Sequence, residues 1–196
     1  MFANPTAPEP RGYHPSLRDR FRVRTRRRLL LRLRSVLAPD GMRLLDLGGG
    51  TGATTAEFGR GARELVVLDP EDRKTSLGRA SGAPVTFVSG VAEALPFGDG
   101  RFERVTSVLS CHHFSRPDDA FREAARVLLP GGRFVVYDLD PSHWSGRAVA
   151  LVIGGHHHSI DRFASPEELV RRARSVGFRT ARGERFGTGA FLIAER

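Results

Sequence analysis

The stretch that decides the fold is LLDLGGGTG at residues 44–52, which is followed by VVLD at residues 66–69. In the first stretch a short apolar strand runs into a glycine turn. In the second, about twenty residues later, an apolar strand ends on the carboxylate of Asp69. Glycines let the main chain approach a ligand closely, because they lack a Cβ and accept positive φ angles. A carboxylate after the second strand is suited to a ribose, so the two stretches predict a nucleotide-sized ligand site.

The glycine spacing separates this site from a dinucleotide site. The dinucleotide fingerprint is G-x-G-x-x-G, whereas this chain has Gly48, Gly50 and Gly52, with Asp46 directly before the turn. A negative charge at that point repels a phosphate and attracts an ammonium group. The expected ligand therefore has a cationic amino-acid end and an unphosphorylated ribose, which is the shape of S-adenosylmethionine.

Four further segments follow the glycine turn in a fixed order. They are GVAEALPF at 90–97, FERV at 102–105, SVLSCHHF at 107–114 and REAARVLLPGGRF at 122–134. Together with the glycine turn they resemble the class I S-adenosylmethionine-dependent methyltransferases, over roughly residues 42–194. The last segment resembles the subgroup that includes the quinone-biosynthesis methyltransferases.

The resemblance implies an α/β fold with a Rossmann-like, doubly wound, mostly parallel seven-stranded sheet that ends in an antiparallel C-terminal hairpin. The alternation of apolar runs with helical patterns is also typical of βαβ units. It predicts strands at 43–47, 64–69, 85–88, 103–109 and 132–138, and helices at 52–60, 72–79, 117–128 and 166–176. The hairpin strands are expected at 178–186 and 190–195.

The resemblance also implies the cofactor, S-adenosylmethionine, with S-adenosylhomocysteine as its product. Asp46 and the glycine turn would cradle the methionine portion, and Asp69 would accept hydrogen bonds from the ribose hydroxyls. Val91 stands where related sequences often carry an acidic residue near adenine. Ser110 would approach the methionine portion through its main chain, and a plain surface turn is almost equally expected for its side chain. The expected cofactor residues are Asp46, Gly48, Gly49, Gly50, Asp69, Pro70, Val91, Ala92, Glu93 and Ser110.

Histidines are the candidate general bases. An acceptor that must lose a proton needs a base, and histidine suits this task near neutral pH. His112 and His113 follow the fourth predicted strand, and His157 lies in an internal run of three histidines at 156–158. A structural or cofactor-facing role for His113 and a variable solvent loop for the run stay as alternatives.

No metal site is expected, because adjacent histidines rarely bind one ion. Further pocket candidates are Asp138, Asp140, His143 and Trp144.

The net charge of +9 belongs almost entirely to one segment. From Arg18 to Arg34 there are nine arginines and one aspartate, a local balance of +8. Apolar residues recur there at helical spacing, so we predict a basic amphipathic helix over 17–38 that stops near Pro39. Such a helix attracts nucleic acid, anionic lipid or an acidic substrate, but a solvated arginine face is the favoured interpretation.

Length and composition indicate one domain. A chain of 196 residues with 40% hydrophobic residues is long enough for one buried core, so we expect a flexible proline-rich tail at 1–16 and a single domain at 17–196. A cytoplasmic protein is expected, because the sequence shows neither a membrane-spanning run nor a secretory signal. The lone Cys111 is interpreted as a small buried hydrophobe. The oligomeric state stays open, with a homodimer as one option.

The leading hypothesis is a methyltransferase that acts on a small-molecule acceptor by in-line displacement. A quinone-like or aromatic acceptor follows from the subgroup resemblance alone. The alternatives are a nucleic-acid methyltransferase that uses the arginine-rich helix, a non-catalytic cofactor-binding scaffold and, more remotely, an NAD-dependent oxidoreductase. The first lacks an Asn-Pro-Pro-Tyr-like motif after the fourth strand, and the last is disfavoured by the glycine spacing and by Asp46.

Overall fold

The computed structural model describes residues 17–82, 84–148 and 162–196. Within these ranges seven strands form one sheet. The strands are β1 Arg43–Leu47, β2 Glu64–Asp69, β3 Thr86–Ser89, β4 Phe102–Val108, β5 Leu128–Leu139, β6 Thr180–Phe186 and β7 Gly189–Glu195. The helices are α1 Leu17–Leu37, α2 Ala53–Phe58, α3 Asp72–Ala80, α4 Pro117–Val127 and α5 Pro166–Ser175, with a 3₁₀ turn at Cys111–His113. None of the helices in these ranges is both long enough and apolar enough to cross a membrane.

The sheet order is β3-β2-β1-β4-β5-β7-β6, and the first five of these strands are parallel. β7 is antiparallel to both of its neighbours, β5 and β6. This arrangement confirms the doubly wound, mostly parallel sheet and its C-terminal hairpin. From β1 the chain continues to β2 on one side of the sheet, whereas from β4 it continues to β5 on the other side. The connections that leave the carboxyl ends of β1 and β4 therefore separate, and a crevice forms between them.

Helices cover both faces of the sheet. Apolar residues that alternate along a strand point to opposite faces, and in β1 Leu45 and Leu47 pack with α4 and α5 while Leu44 packs with α1 and α2. Such double coverage requires strands whose central residues are largely apolar, as they are in β1 and β2, where the buried Asp46 is the exception. The crevice at the carboxyl edge therefore lies on the buried ends of β1 and β2.

The fifth strand begins earlier than the sequence predicts. The sequence predicts 132–138, because Pro130, Gly131 and Gly132 are typical of a turn, but β5 starts at Leu128 directly after α4. Leu128 pairs with Phe102 of β4, and the register then shifts before the next pair. The glycine at 131 adopts a φ of +76°, so the turn residues form an irregular part of the strand itself. The prediction missed this pairing because it depends on a partner in another strand.

The basic helix is an integral part of the domain. The last turns of α1 bury Leu33, Val36 and Leu37 against the sheet, and the helix ends at Leu37 just before Pro39, as predicted. Several arginines are not simply solvated. The ion pairs within the described residues include Arg26 with Glu57, Arg32 with Glu184 and Arg34 with Asp40. Pairs as exposed as these contribute little to stability, about 0–1 kcal/mol each.

Two predicted features lie outside the described residues. These are the proline-rich tail at 1–16 and the histidine run at 156–158, which includes His157.

We predict that Leu33→Ala destabilises the protein by about 2–5 kcal/mol, because it opens a cavity under α1. Leu31→Ala is the matched control on the same helix, since Leu31 is 58% exposed whereas Leu33 is 0% exposed. The control should change the free energy of unfolding by less than about 0.5 kcal/mol. Urea unfolding monitored by circular dichroism measures both values, and equal effects of the two substitutions would contradict the packing of α1 on the sheet.

Candidate functional site

The glycine turn after β1 makes a close contact with the end of β4. Gly48 has a φ of +73°, and a Cβ built on it would lie 2.6 Å from both Cβ and Oγ of Ser110. Only glycine fits such a position. The Ser110 hydroxyl donates a hydrogen bond to the Leu47 carbonyl (2.6 Å) and pairs with the Ser107 hydroxyl (2.8 Å). The Ser110 side chain is therefore buried and joins the two strands, which contradicts the alternative interpretation of a plain surface turn for this side chain.

Asp46 is a buried carboxyl group just before this turn. It is 2% exposed, and one of its oxygens, Oδ2, accepts a hydrogen bond from the Thr55 hydroxyl (2.5 Å). No described residue contacts the other oxygen, Oδ1, by a hydrogen bond. Burial raises the pKa of Asp46 to about 7, against the opposing effect of the Thr55 hydrogen bond and with a further increase from the charge of Asp69. A cationic donor at Oδ1 would satisfy the group and restore its charge.

Gly49 gives Asp46 the space that it needs. A Cβ on Gly49 would lie 2.7 Å from Oδ2 of Asp46 and 3.0 Å from a methyl group of Val67. A side chain at this position would displace the carboxylate from Thr55. Gly48 and Gly49 therefore have different tasks, and the sequence pattern alone does not distinguish them.

Asp69 ties the end of β2 to the same turn. Its Oδ2 accepts a hydrogen bond from the Gly50 amide and its Oδ1 accepts one from the Glu71 amide, both at 2.9 Å. A carboxylate has about four acceptor sites, so these bonds leave capacity for two ribose hydroxyls. The arrangement fits the predicted role of Asp69.

Lys74 is a neighbour of the site that the predictions missed. Its Cδ lies 3.6 Å from the position of a Cβ built on Gly50, and its ammonium group pairs with Glu71 (2.7 Å). The hydrogen bond to Glu71 raises the pKa of Lys74 despite partial burial, and the charge of Asp69 acts in the same direction. The signal in the sequence was that Lys74 is the chain's only lysine.

The loop after β3 borders the other side of Asp69. The Gly90 amide donates to the Asp69 carbonyl (3.3 Å), so the loop begins at the end of β2. Val91 is exposed and Ala92 is buried, which leaves the predicted adenine side without a carboxylate at position 91. Glu93 accepts hydrogen bonds from the amides of Ser115 (2.6 Å) and Arg116 (3.2 Å). Its side chain therefore fixes the start of α4.

His112 is held by a carboxylate at the end of β5. Its Nδ1 lies 2.9 Å from Oδ2 of Asp138, which also accepts a hydrogen bond from the His112 amide (3.0 Å). The ring lies between His113 and Phe163, with centroid distances of 4.0 and 4.4 Å. A carboxylate at Nδ1 favours the tautomer whose basic nitrogen is Nε2. The sequence placed both histidines after β4 correctly, but it did not predict the pairing with Asp138.

The other pocket candidates divide into structural and exposed residues. Asp140 accepts hydrogen bonds from Ser142 and from Arg185 (2.8 Å). Burial opposes ionisation of Asp140, but these hydrogen bonds prevail and hold its pKa below the usual range. Trp144 is 78% exposed. Cys111 is buried, as predicted, and burial raises the pKa of its thiol. Within the described ranges, no cluster of three or more metal-ligating side chains is arranged to hold an ion.

Comparison with known proteins points to one family. A family model described as a methyltransferase domain matches residues 45–136. A ubiquinone/menaquinone biosynthesis C-methyltransferase of a Ruegeria species is 31% identical over 182 residues, which cover 78% of this chain and 73% of that protein. The corresponding protein of Rubrivivax gelatinosus is 36% identical over 105 residues, covering 53% of this chain and 42% of its own length. The chain thus spans only about half the length of some of these relatives.

Solved structures show the same fold. An S-adenosylmethionine-dependent methyltransferase of Thermotoga maritima superimposes with a TM-score of 0.70 at 20% identity, over 91% of this chain and 95% of that one. A second, from Mesorhizobium loti, gives a TM-score of 0.69 at 20% identity, over 85% and 96%. At this level of identity the likeness concerns the fold alone.

We predict that Asp46→Asn changes how stability depends on pH. In the unfolded chain an aspartate titrates near about 3.9, whereas in the native protein burial raises the pKa of Asp46 to about 7. The native state therefore holds an extra proton between these values, and the stability that this proton confers is lost as the pH rises through that window. The amide in the variant stays neutral, so the variant should gain stability relative to the unsubstituted protein from pH 5 to pH 8. Urea unfolding at both pH values measures this difference, and a difference that is independent of pH would contradict the raised pKa of the buried Asp46 carboxyl group.

Proposed function

Since this chain belongs to the class I S-adenosylmethionine-dependent methyltransferases of the quinone-biosynthesis-like type, we propose that it transfers the cofactor's methyl group to a small-molecule acceptor at the carboxyl edge of the sheet. The observation that carries the proposal is the buried Asp46, whose Oδ1 has no hydrogen-bond partner among the described residues. A buried carboxyl oxygen without a partner is costly unless a ligand supplies one. The ammonium group of the methionine portion is a donor of the right charge.

The described residues can hold each part of this cofactor. Asp46 and the main chain at Gly48 and Gly50 bind the methionine portion, and Asp69 accepts from the ribose hydroxyls. Because Asp69 is already fixed by two main-chain amides, it is oriented before the ligand arrives. Recognition of adenine falls to the main chain and apolar atoms at 90–93, since Val91 has no acceptor in its side chain. Pro70 extends the apolar border on the ribose side.

The protein's main chemical task is alignment. When bound, the cofactor supplies an electrophilic methyl carbon on a sulfonium group, which is a good leaving group. The proposed cofactor-binding residues lie at the ends of β1, β2 and β4, where the sheet fixes their positions. An acceptor can therefore be placed in line with the methyl group. The hydrogen bonds from the Ser110 hydroxyl to the Leu47 carbonyl and from the Gly50 amide to Asp69 keep these ends together.

A base is required only for an acceptor that must lose a proton. Of the three predicted bases, His112 is the one whose orientation the structure explains, through Asp138. A general-base role for His112, His113 or His157 stays a prediction. An unchanged turnover number in a His112→Gln variant would contradict it for His112.

A small acceptor is supported by the charge distribution and by the relatives. Arg26, Arg32 and Arg34 pair with carboxylates of the same domain, which reduces the charge that α1 can offer to a nucleic acid. The relatives in the comparison are C-methyltransferases of ubiquinone and menaquinone biosynthesis. We therefore propose a quinone-like aromatic compound as the acceptor class.

We predict that Asp69→Ala weakens binding of S-adenosylhomocysteine. The substitution removes hydrogen bonds from two hydroxyls to a charged acceptor, so the Kd should rise about tenfold to a hundredfold. Isothermal titration calorimetry with the product avoids any need for an acceptor.

Asp72→Ala is the matched control for this experiment. It removes an equal charge three residues away, from an exposed carboxylate that accepts from the Ser89 hydroxyl (2.8 Å). The control should bind S-adenosylhomocysteine with unchanged affinity. If both variants lose affinity equally, the effect is general electrostatics and the proposed ribose contact is wrong.

A further inference from the structure

The loop between β3 and β4 carries the residues on the predicted adenine side. It covers residues 90–101, all of which the structure describes, and it forms neither helix nor strand. Such a loop has no ladder of main-chain hydrogen bonds to fix its course, so its position depends on contacts with neighbouring elements. Recognition of adenine by main-chain atoms therefore depends on what holds this loop.

Two residues of α4, Glu123 and Arg126, hold the middle of the loop. One oxygen of Glu123, Oε2, accepts a hydrogen bond from the Leu95 amide (2.7 Å). Arg126 donates to the carbonyls of Leu95 (3.1 Å) and Phe97 (2.8 Å). It also donates to the carboxylate of Asp99 (2.8 Å). The amide and the carbonyl of Leu95 are thus both bonded to the same helix.

The two residues are also bonded to each other in a fixed geometry. Arg126 donates to both oxygens of Glu123, from Nε (2.6 Å) and from Nη2 (2.8 Å). Together with the three acceptors in the loop, these bonds give all five N–H groups of the guanidinium a partner. The bond from Arg126 holds the pKa of Glu123 below its usual range against the effect of partial burial. The pair is therefore ionised at neutral pH, and its planar fork determines where the loop can lie.

A second contact with α4 anchors the loop closer to Val91. Glu93 accepts hydrogen bonds from the two amides that directly precede the helix (2.6 and 3.2 Å). Ala94 lies between the anchored residues Glu93 and Leu95, and its amide donates to the Val91 carbonyl (3.3 Å). The positions of the main-chain groups around Val91 are therefore set by α4.

Another ion pair on the same helix lacks this connection to the loop. Asp119 and Arg122 have the same i,i+3 spacing as Glu123 and Arg126. Arg122 bonds to Asp119 of its own helix, and its side chain is largely exposed. Exposed pairs of this kind contribute little to stability. The connection of Arg126 to three acceptors outside α4 therefore indicates a task beyond stabilising the helix.

We propose that Glu123 and Arg126 are positioning residues for the cofactor, and that they give the site its selectivity for adenine by fixing the main chain at 91–95. The inference rests on the proposed function and makes it more specific. The side chain of Val91 offers adenine no hydrogen-bond acceptor, so the choice of base depends on main-chain N–H and C=O groups. These groups distinguish one base from another only where their positions are fixed, because misaligned hydrogen bonds weaken steeply.

The test measures selectivity between two bases. Isothermal titration calorimetry of the full chain compares S-adenosylhomocysteine with S-inosylhomocysteine, in which an oxo group and an N–H replace the amino group and the adjacent ring nitrogen acceptor of adenine. Glu123→Gln keeps an acceptor for the Leu95 amide but removes the charge. Arg126→Lys keeps the charge but has three N–H donors in place of five. Arg122→Lys is the matched control, because it makes the same exchange on the same helix.

We expect the unsubstituted protein and Arg122→Lys to bind S-adenosylhomocysteine about tenfold or more tightly than S-inosylhomocysteine. In Glu123→Gln and Arg126→Lys this preference should fall to about twofold or less, because a displaced main chain no longer matches the base. Both variants should also bind S-adenosylhomocysteine about threefold to tenfold more weakly. Thermal unfolding identifies a titration temperature at which each variant is folded. A pair that acted only on stability would lower the melting temperature and leave the preference for adenine unchanged.

The contrary results separate the inference from its premise. If the folded, unsubstituted protein does not bind S-adenosylhomocysteine, the proposed function itself fails. If it binds both compounds equally, the loop does not select adenine and the inference is overturned while the cofactor site stands. The same conclusion follows if Glu123→Gln and Arg126→Lys keep the full preference, or if Arg122→Lys loses it to the same degree.

Discussion

A buried carboxylate with an unpartnered oxygen is the constraint on which the rest of the structure depends. Asp46 lies at the end of β1 with one hydrogen bond, from Thr55, and its second oxygen meets no donor among the described residues. Burial of such a group opposes folding. The chain nevertheless retains it at the point where β1 and β4 diverge, which is where ligands of doubly wound sheets bind. A cationic ligand group would offset the cost of burying this carboxylate, so the group that opposes folding can serve to bind the ligand.

Contacts between strands make the surrounding site rigid. Ser110 joins β4 to β1, Asp69 joins β2 to the glycine turn, and Gly90 joins the loop after β3 to β2. Each contact uses main-chain atoms on at least one side, so the positions of the strand ends are set by the sheet itself. A methyl transfer from an activated donor needs little from the protein except alignment. The fold therefore meets the principal requirement of the chemistry before any catalytic side chain is considered.

The sequence predicts those parts of the fold that depend on local pattern. The glycine turn, the strand that ends on Asp69 and the hairpin at the C-terminus are continuous in sequence, and the structure has all three. The parts that the sequence did not predict depend on partners far along the chain. Arg32 pairs with Glu184, 152 residues away, and the early start of β5 depends on the pairing of Leu128 with Phe102. The pairing of His112 with Asp138 likewise arises only when β4 and β5 lie side by side.

The most direct measurement is a calorimetric titration of the full chain with S-adenosylmethionine, with NADH as the comparison ligand. We expect saturable binding of S-adenosylmethionine in the micromolar range, loss of that affinity in Asp46→Ala, and no binding of NADH. The cause is the carboxylate at position 46, which attracts an ammonium group and repels a pyrophosphate. If the folded protein binds NADH preferentially, or binds neither ligand, the assignment of the buried carboxylate to a cationic cofactor is contradicted.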